Sequence, residues 1–225
     1  ERAIRSFTVD IECDLVLTGS NASLLSTELA THLAGRYIEF ELIPLSFPEY
    51  LTFHEVPESP SDIEKAFSTF LMEGGFPGLS LLHGDESLKI QYLLGIYDTV
   101  VMKDVIQKHV IRDSELLERI FVYLMKNIGQ IFSAKRIADS LKSQGRTSSL
   151  DSVYGHIRAL EQGLVIYAAK RYDVKGRRIL DRMEKYFLTD VGLRYALLGP
   201  RAGDIGQILE NVVYLELRRR GYQVY

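Results

Sequence analysis

The stretch "SAKRIADSLKSQGRTSSLDSVYGHIRALEQGLVIYAAKRYDVKGRRILDRMEKYFLTD", residues 133–190, constrains the fold of this chain more than any other. Its first part predicts a short helix capped by Ser133 and ended at Gly145. The second predicts a helix capped by Ser148 or Ser149. There Leu150, Val153, Ile157, Leu160 and Leu164 recur at spacings of 3, 4, 3 and 4, the stripe of a helix that buries one face. "LVIYAAKRY" and "EKYFLTD" read as strands on either side of a basic turn, "DVKGRR". Helix, turn, helix, hairpin is the order of a winged helix-turn-helix.

Charge separates along the chain in the same place. The whole sequence carries a net −3, yet residues 133–187 hold 12 Lys+Arg against 6 Asp+Glu, a net +6, which leaves −9 for the rest. One basic segment inside an acidic protein points to a polyanion partner for that segment. Composition is otherwise that of a folded protein, and 225 residues are enough for two domains. The one cysteine, Cys13, sits in an apolar run and reads as a core residue; no disulfide framework can be built, which suits the cytoplasm. No apolar run approaches the roughly 18 residues of a membrane span. The five histidines are scattered, and neither a metal cluster nor a Ser/His/Asp elbow is visible.

Upstream, "CDLVLTG" predicts a central strand, apolar on both faces, and Ser26 to Leu33 a helix. "YIEFELIPL" alternates Ile38, Phe40 and Leu42 against Glu39 and Glu41, the pattern of a half-exposed strand. "SFPEYLTFH" predicts a short helix capped by Ser46, and residues 55–62, "EVPESPSD", a linker. Helices follow, one of them capped by Ser114. "GGFP" at 74–77 predicts a sharp turn. The last segment, "DIGQILENVVYLELRRRGYQVY", predicts a helix running into a strand.

These stretches together match a known pattern. "LTGSNASLLSTELATHLAGRY" followed by "PLSFPEYL" resembles the end of the ATPase domain in a large family of bacterial and archaeal AAA-type (P-loop) ATPases. "FLMEGGFPG", the winged-helix segment and "YFLTDVGL" resemble the C-terminal domain of unknown function of those proteins, and "GQILENVVYLELRRRGYQVY" the start of a restriction-endonuclease-like element. The resemblance implies a mainly α chain with a small α/β N-terminal part. Residues 1–54 would end the ATPase core, residues 61–200 form a helical domain with a winged helix at about 133–188, and residues 201–225 open a nuclease-like domain.

The family places its phosphate-binding loop, G-x-x-x-x-G-K-[ST], upstream of "TGSN", and no such loop occurs in these 225 residues. Its backbone N–H groups, Lys and Ser/Thr are what hold the phosphates and Mg²⁺. ATP and Mg²⁺ are therefore expected in a full-length parent, and neither a cofactor nor catalysis in this chain alone, which reads as a fragment.

By the same resemblance, Asn21 or Ser20 takes the sensor position that orients the attacking water; within this chain an Asx turn or helix cap is the competing role. Arg36 reads equally as a phosphate contact or as a partner of Glu39 or Glu41. For the winged helix, double-stranded DNA is the expected partner. Asp151, Tyr154, Gly155 and Arg158 would face out, with Ser149 at the helix N-terminus. Arg146 and Lys142 would meet phosphates, and Lys170, Arg171, Lys175, Arg177 and Arg178 would contact backbone or minor groove. Asp151 would repel phosphate, and a protein partner for the same surface is the alternative. Glu210 stands where a nuclease-like helix offers an acid to a metal, without the downstream acids that would complete a site.

Overall fold

A computed structural model of the chain describes residues 15–19, 37–82, 84–131, 133–173, 175–176, 178–200 and 203–225. The chain divides into two compact units, residues 1–41 and 42–225. Most of the first lies outside the described residues, and its described parts, 15–19 and 37–41, carry neither helix nor strand. This corrects the strand expected from Tyr37 onward. Alternation suits a strand only where a neighbour takes its N–H and C=O groups, and among the described residues none pairs with 37–43.

The larger unit is mainly helical. Helix α1 (Phe47–Phe53) opens with a capping box: the Ser46 side chain receives the Glu49 N–H, and the Glu49 carboxylate receives the Ser46 N–H at 2.7 Å. Helix α2 (Pro60–Glu73) starts on Ser59 with Pro60 in its first turn and stops at Gly74, whose φ of +80° a side chain disfavours. A 3₁₀ turn (Pro77–Leu81) leads to a rod made of α3 (Glu86–Ile96), a π-helical segment (Tyr97–Asp104) and α4 (Val105–Lys108).

Helix α5 (Ser114–Lys126) runs through the main core, burying Leu116, Leu117, Ile120, Phe121, Leu124 and Met125. Each such side chain contributes about 1.5–3 kcal/mol by leaving water. Its cap is Asp113 rather than Ser114: the carboxylate accepts the Leu116 N–H at 3.0 Å. Helices α6 (Ala134–Ser143) and α7 (Leu150–Gln162) pack on it through Ile137 and Leu141 and through Val153, Ile157 and Leu160. Leu150, expected in that apolar stripe, is 46% exposed, because it sits on the first turn, ahead of the packed positions.

An antiparallel hairpin follows, β1 (Ile166–Asp173) against β2 (Arg178–Leu188), with an irregularity in register between Ala169 and Arg171. Helix α8 (Val191–Leu198) packs against α2 and α3, and α9 (Ile205–Arg219) lays Tyr214 on Phe187 with ring centroids 4.0 Å apart. Asn211, fully buried on α9, receives the Leu188 N–H at 2.7 Å and donates to the Leu188 carbonyl at 3.0 Å. Its amide thus continues the hairpin's hydrogen bonding into the last helix. Residues 222–225 form no strand, so the expected helix-into-strand ending is a helix followed by irregular chain. No helix among the described residues is long and apolar enough to cross a membrane.

Candidate nucleic-acid interface

Helix α7 shows solvent a narrow stripe. Asp151, Gly155, Arg158 and Gln162 are exposed along it, and Tyr154 lies beside them, also exposed. Ser149 caps this helix, its hydroxyl accepting the Ser152 N–H at 3.1 Å. On the hairpin, Lys170 and Arg171 are exposed on β1, and the Arg171 guanidinium lies 3.7 Å from the Met183 sulfur. Lys175, in the turn, is exposed, its N–H donating to Asp173 Oδ1 at 3.1 Å. Arg177 lies outside the described residues, as do Ser20, Asn21 and Arg36; Arg178 begins β2.

Arg146 is committed elsewhere. Its guanidinium pairs with both Asp113 and Glu115, tying the turn between α6 and α7 to the start of α5. The two carboxylates hold the Arg146 proton more firmly than usual; burial works to raise the Asp113 carboxyl, but Arg146 and the Leu116 N–H bring it below the ordinary carboxylate range, and Arg146 with Arg119 does the same to Glu115. Next to this tie, the His156 ring spans from the Ser152 carbonyl (2.7 Å) to the Asp113 carbonyl (3.3 Å). Arg146 therefore braces the turn where phosphate contact was expected.

Glu161 brings the helix and hairpin charges together. Burial pushes its carboxyl up to about 7, the nearby Glu184 adds to that, and Lys170 and Arg158 pull it back. Arg158 of α7 and Lys170 of β1 are thus both near enough to Glu161 to act on its charge. Glu184 in turn accepts the Tyr186 hydroxyl proton in a hydrogen bond. Nothing in the sequence marks Glu161 and Glu184 as neighbours, because one lies on α7 and the other on β2 and only the fold brings their charges within reach of each other.

A second constellation lies where α1, α2, α8 and α9 meet. Asp190, buried at the N-terminus of α8, accepts the Gly75 N–H at Oδ2 and the Gly192 N–H at Oδ1, both at 2.7 Å. Burial raises this carboxyl to about 7, against the pull of those two N–H groups. The Leu45 N–H donates to the Gly75 carbonyl at 2.8 Å, and Arg219 of α9 donates to the Pro44 carbonyl at 2.5 Å. The approach leaves no room for side chains: a Cβ on Gly74, Gly75 or Gly192 would stand 1.8 Å from Asp190 Oδ1, 2.3 Å from the Leu45 carbonyl oxygen or 2.0 Å from that of Glu73. Leu45, Gly74, Gly75 and Asp190 border a cleft of about 210 Å³ that Phe70 and Val212 also line.

Glu210 pairs with Lys185 on β2, and its carboxylate fills the space a side chain on Gly129 would need. Among the described residues no group of three or more His, Cys, Asp or Glu could hold a metal ion.

Residues 64–204 match the model of a domain of unknown function, DUF8612. The chain belongs to that family. Residues 1–51 match an AAA domain, which ends inside α1, so Leu45 lies in the last stretch of the AAA match and is fastened to the DUF8612 domain at Gly75. An uncharacterized protein of Haemophilus influenzae is 37% identical over 224 residues, 100% of this chain and 56% of the relative. Another from Methanocaldococcus jannaschii is 32% identical over 216 residues, 93% of this chain and 48% of the relative. The chain thus spans about half the length of these curated relatives. No solved structure matches it.

Proposed function

We propose that this chain is the effector portion of an AAA-type ATPase, in which α6, α7 and the hairpin act as a winged helix on duplex DNA. In this reading residues 1–54 end the ATPase core, 61–200 form the DUF8612-type helical domain, and 201–225 open a nuclease-like element. The observation that carries the DNA reading is the exposure of Arg158 on α7 and of Lys170, Arg171 and Lys175 on the hairpin that follows it. A recognition helix flanked by a basic hairpin matches a groove flanked by phosphates.

The phosphate-binding loop that holds ATP and Mg²⁺ in such ATPases does not occur in these 225 residues. Nucleotide turnover belongs to the parent protein in this proposal. The Pro44–Ser46 stretch, held by Gly75 and Arg219, is where movement of the AAA part would enter the helical domain.

The test is fluorescence anisotropy with a labelled random duplex at about 50 and 200 mM salt, a range over which a protein making several phosphate contacts loses orders of magnitude in affinity. Binding that collapses with salt and weakens in Lys170→Ala/Arg171→Ala/Lys175→Ala supports the reading. Binding unaffected by those changes opposes it. One observation favours a protein partner instead: Leu150 and Tyr154 are 46% and 44% exposed on the same helix as Asp151, an apolar pair beside an acid. Capture of a defined protein that competes with no duplex would select that second reading.

A further inference from the structure

The Pro44–Ser46 stretch, which leads into α1, is fastened from two sides. On one side the Leu45 N–H donates to the Gly75 carbonyl, and Asp190 at the start of α8 accepts the Gly75 N–H. On the other side Arg219, in the last turn of α9, donates to the Pro44 carbonyl. Helix α9 reaches the same region by a second route. Two turns before Arg219, Asn211 holds both polar groups of the Leu188 backbone, two residues ahead of Asp190. These bonds close a ring from Asp190 through Gly75, Leu45, Pro44, Arg219 and Asn211 to Leu188.

Pro44, Leu45, Gly75, Asp190 and Arg219 all border the cleft of about 210 Å³. Open space supplies no packing atoms, so on its cleft side the stretch depends on discrete bonds. Those bonds differ in kind. At Gly75 two backbones meet so closely that a Cβ would stand 2.3 Å from the Leu45 carbonyl oxygen. At Pro44 the hold is one side chain, 24% exposed, which Glu216 of its own helix also engages at 3.1 Å. Ion pairs in contact with water contribute little, so the guanidinium can leave Pro44 and keep Glu216.

The neighbouring arginine faces the hairpin. The Arg218 guanidinium lies 4.2 Å from the centre of the Tyr167 ring on β1, and Tyr214 stacks on Phe187 of β2. One helix thus grips the Pro44 stretch with Arg219 and the base of the hairpin with Asn211, Tyr214 and Arg218.

We propose that Arg219 is a releasable catch and α9 a coupling bar. With the catch on Pro44, the end of the AAA match, α9 and the base of the hairpin move as one body. With the catch open, the Pro44 stretch loosens, the cleft widens and the hairpin is uncoupled from it. This rests on the reading above that movement of the AAA part enters at Pro44–Ser46, and it adds the element that receives the movement and the residue that passes it on.

Amide exchange of this chain, followed by NMR without duplex or nucleotide, tests it. The Leu45 N–H reports on the Pro44 stretch and the Leu188 N–H on the base of the hairpin. Ile120, fully buried on α5, reports on the core. Arg219→Ala is expected to speed exchange about tenfold at Leu45, less at Leu188, and not at Ile120. Arg219→Lys, which keeps the charge and loses the fork, is expected to fall between wild type and Arg219→Ala. Arg220→Ala is the control: Arg220 pairs with the same Glu216 at 2.7 Å, but the bond to Pro44 belongs to Arg219. Wild-type exchange at Leu45 in Arg219→Ala overturns the catch. A rise at Leu45 with none at Leu188 overturns the coupling bar. An equal rise at Ile120, or the same pattern in Arg220→Ala, overturns both. Duplex binding enters none of these readouts, so failure here leaves the DNA reading standing, and failure of that reading leaves this result standing.

Discussion

Asp190 Oδ2 accepts the Gly75 N–H at 2.7 Å, joining residues 115 positions apart in the chain. The same Gly75 receives the Leu45 N–H through its carbonyl. A two-residue contact thus fastens the end of the AAA match to the start of α8. The close approach depends on backbone with no side chain in the way. Gly75→Ala or Gly192→Ala forces a methyl against a carbonyl oxygen and is expected to cost about 1–3 kcal/mol or more. Urea unfolding measures it, and Gly206→Ala, open around its Cβ, serves as the mild comparison.

Asp190 also gives a pH dependence with a definite sign. Burial raises its carboxyl from 3.8 to about 7, so between those values the folded state holds a proton that the unfolded state has released. Its contribution is full below about pH 4 and falls as pH rises toward 7. Glu161, raised to about 7, acts in the same direction. Asp190→Asn and Glu161→Gln should each flatten the decline in stability between about pH 4 and 7. Unfolding curves at several pH values would read this, and an unchanged slope in both variants would contradict it.

Asn211 supplies both partners of the Leu188 backbone in a fully buried place. Asn211→Ala leaves a buried N–H and C=O unpaired, at about 1–3 kcal/mol each. Asn211→Asp keeps the acceptor but sets a buried carboxylate against the Leu188 carbonyl, and should lose at least as much near neutral pH and recover part of the loss as pH falls. Guanidinium unfolding of the two variants separates these outcomes.

Arg146 and Lys175 should behave differently although both are basic and near the hairpin or its helices. Arg146 is engaged by Asp113 and Glu115, whereas Lys175 extends from an exposed turn. Lys175→Ala is expected to weaken duplex binding and shallow its salt dependence by about one phosphate contact. Arg146→Ala is expected to leave the salt slope unchanged. Equal changes of slope in both would mean that the Arg146 ion pairs open on binding.

Local signals were the legible ones. Ser46 and Ser149 read as helix caps in the sequence and cap helices in the structure, because a cap needs only a side chain and an N–H two or three residues on. The two helices and hairpin between residues 134 and 188 were readable from apolar spacing and the basic turn. Leu150 misled because periodicity continues past the point where the packing partner ends. Residues 37–43 misled because alternation does not say whether a neighbouring strand exists. "GGFP" read as a turn, which Gly74 makes with its positive φ; the fit of Gly75 against Leu45 depends on residues 30 positions away. Arg146 read as a phosphate contact from its place just before the second helix of the motif, and only the fold shows Asp113 and Glu115 beside it.

The most direct test of the account is an amide NMR titration of this chain with a short duplex at low salt. The account predicts shifts concentrated in residues 149–162 and 168–176, and reversed by raising salt. Shifts confined to α9 or the Gly75–Asp190 region, or none at saturating duplex, would contradict it.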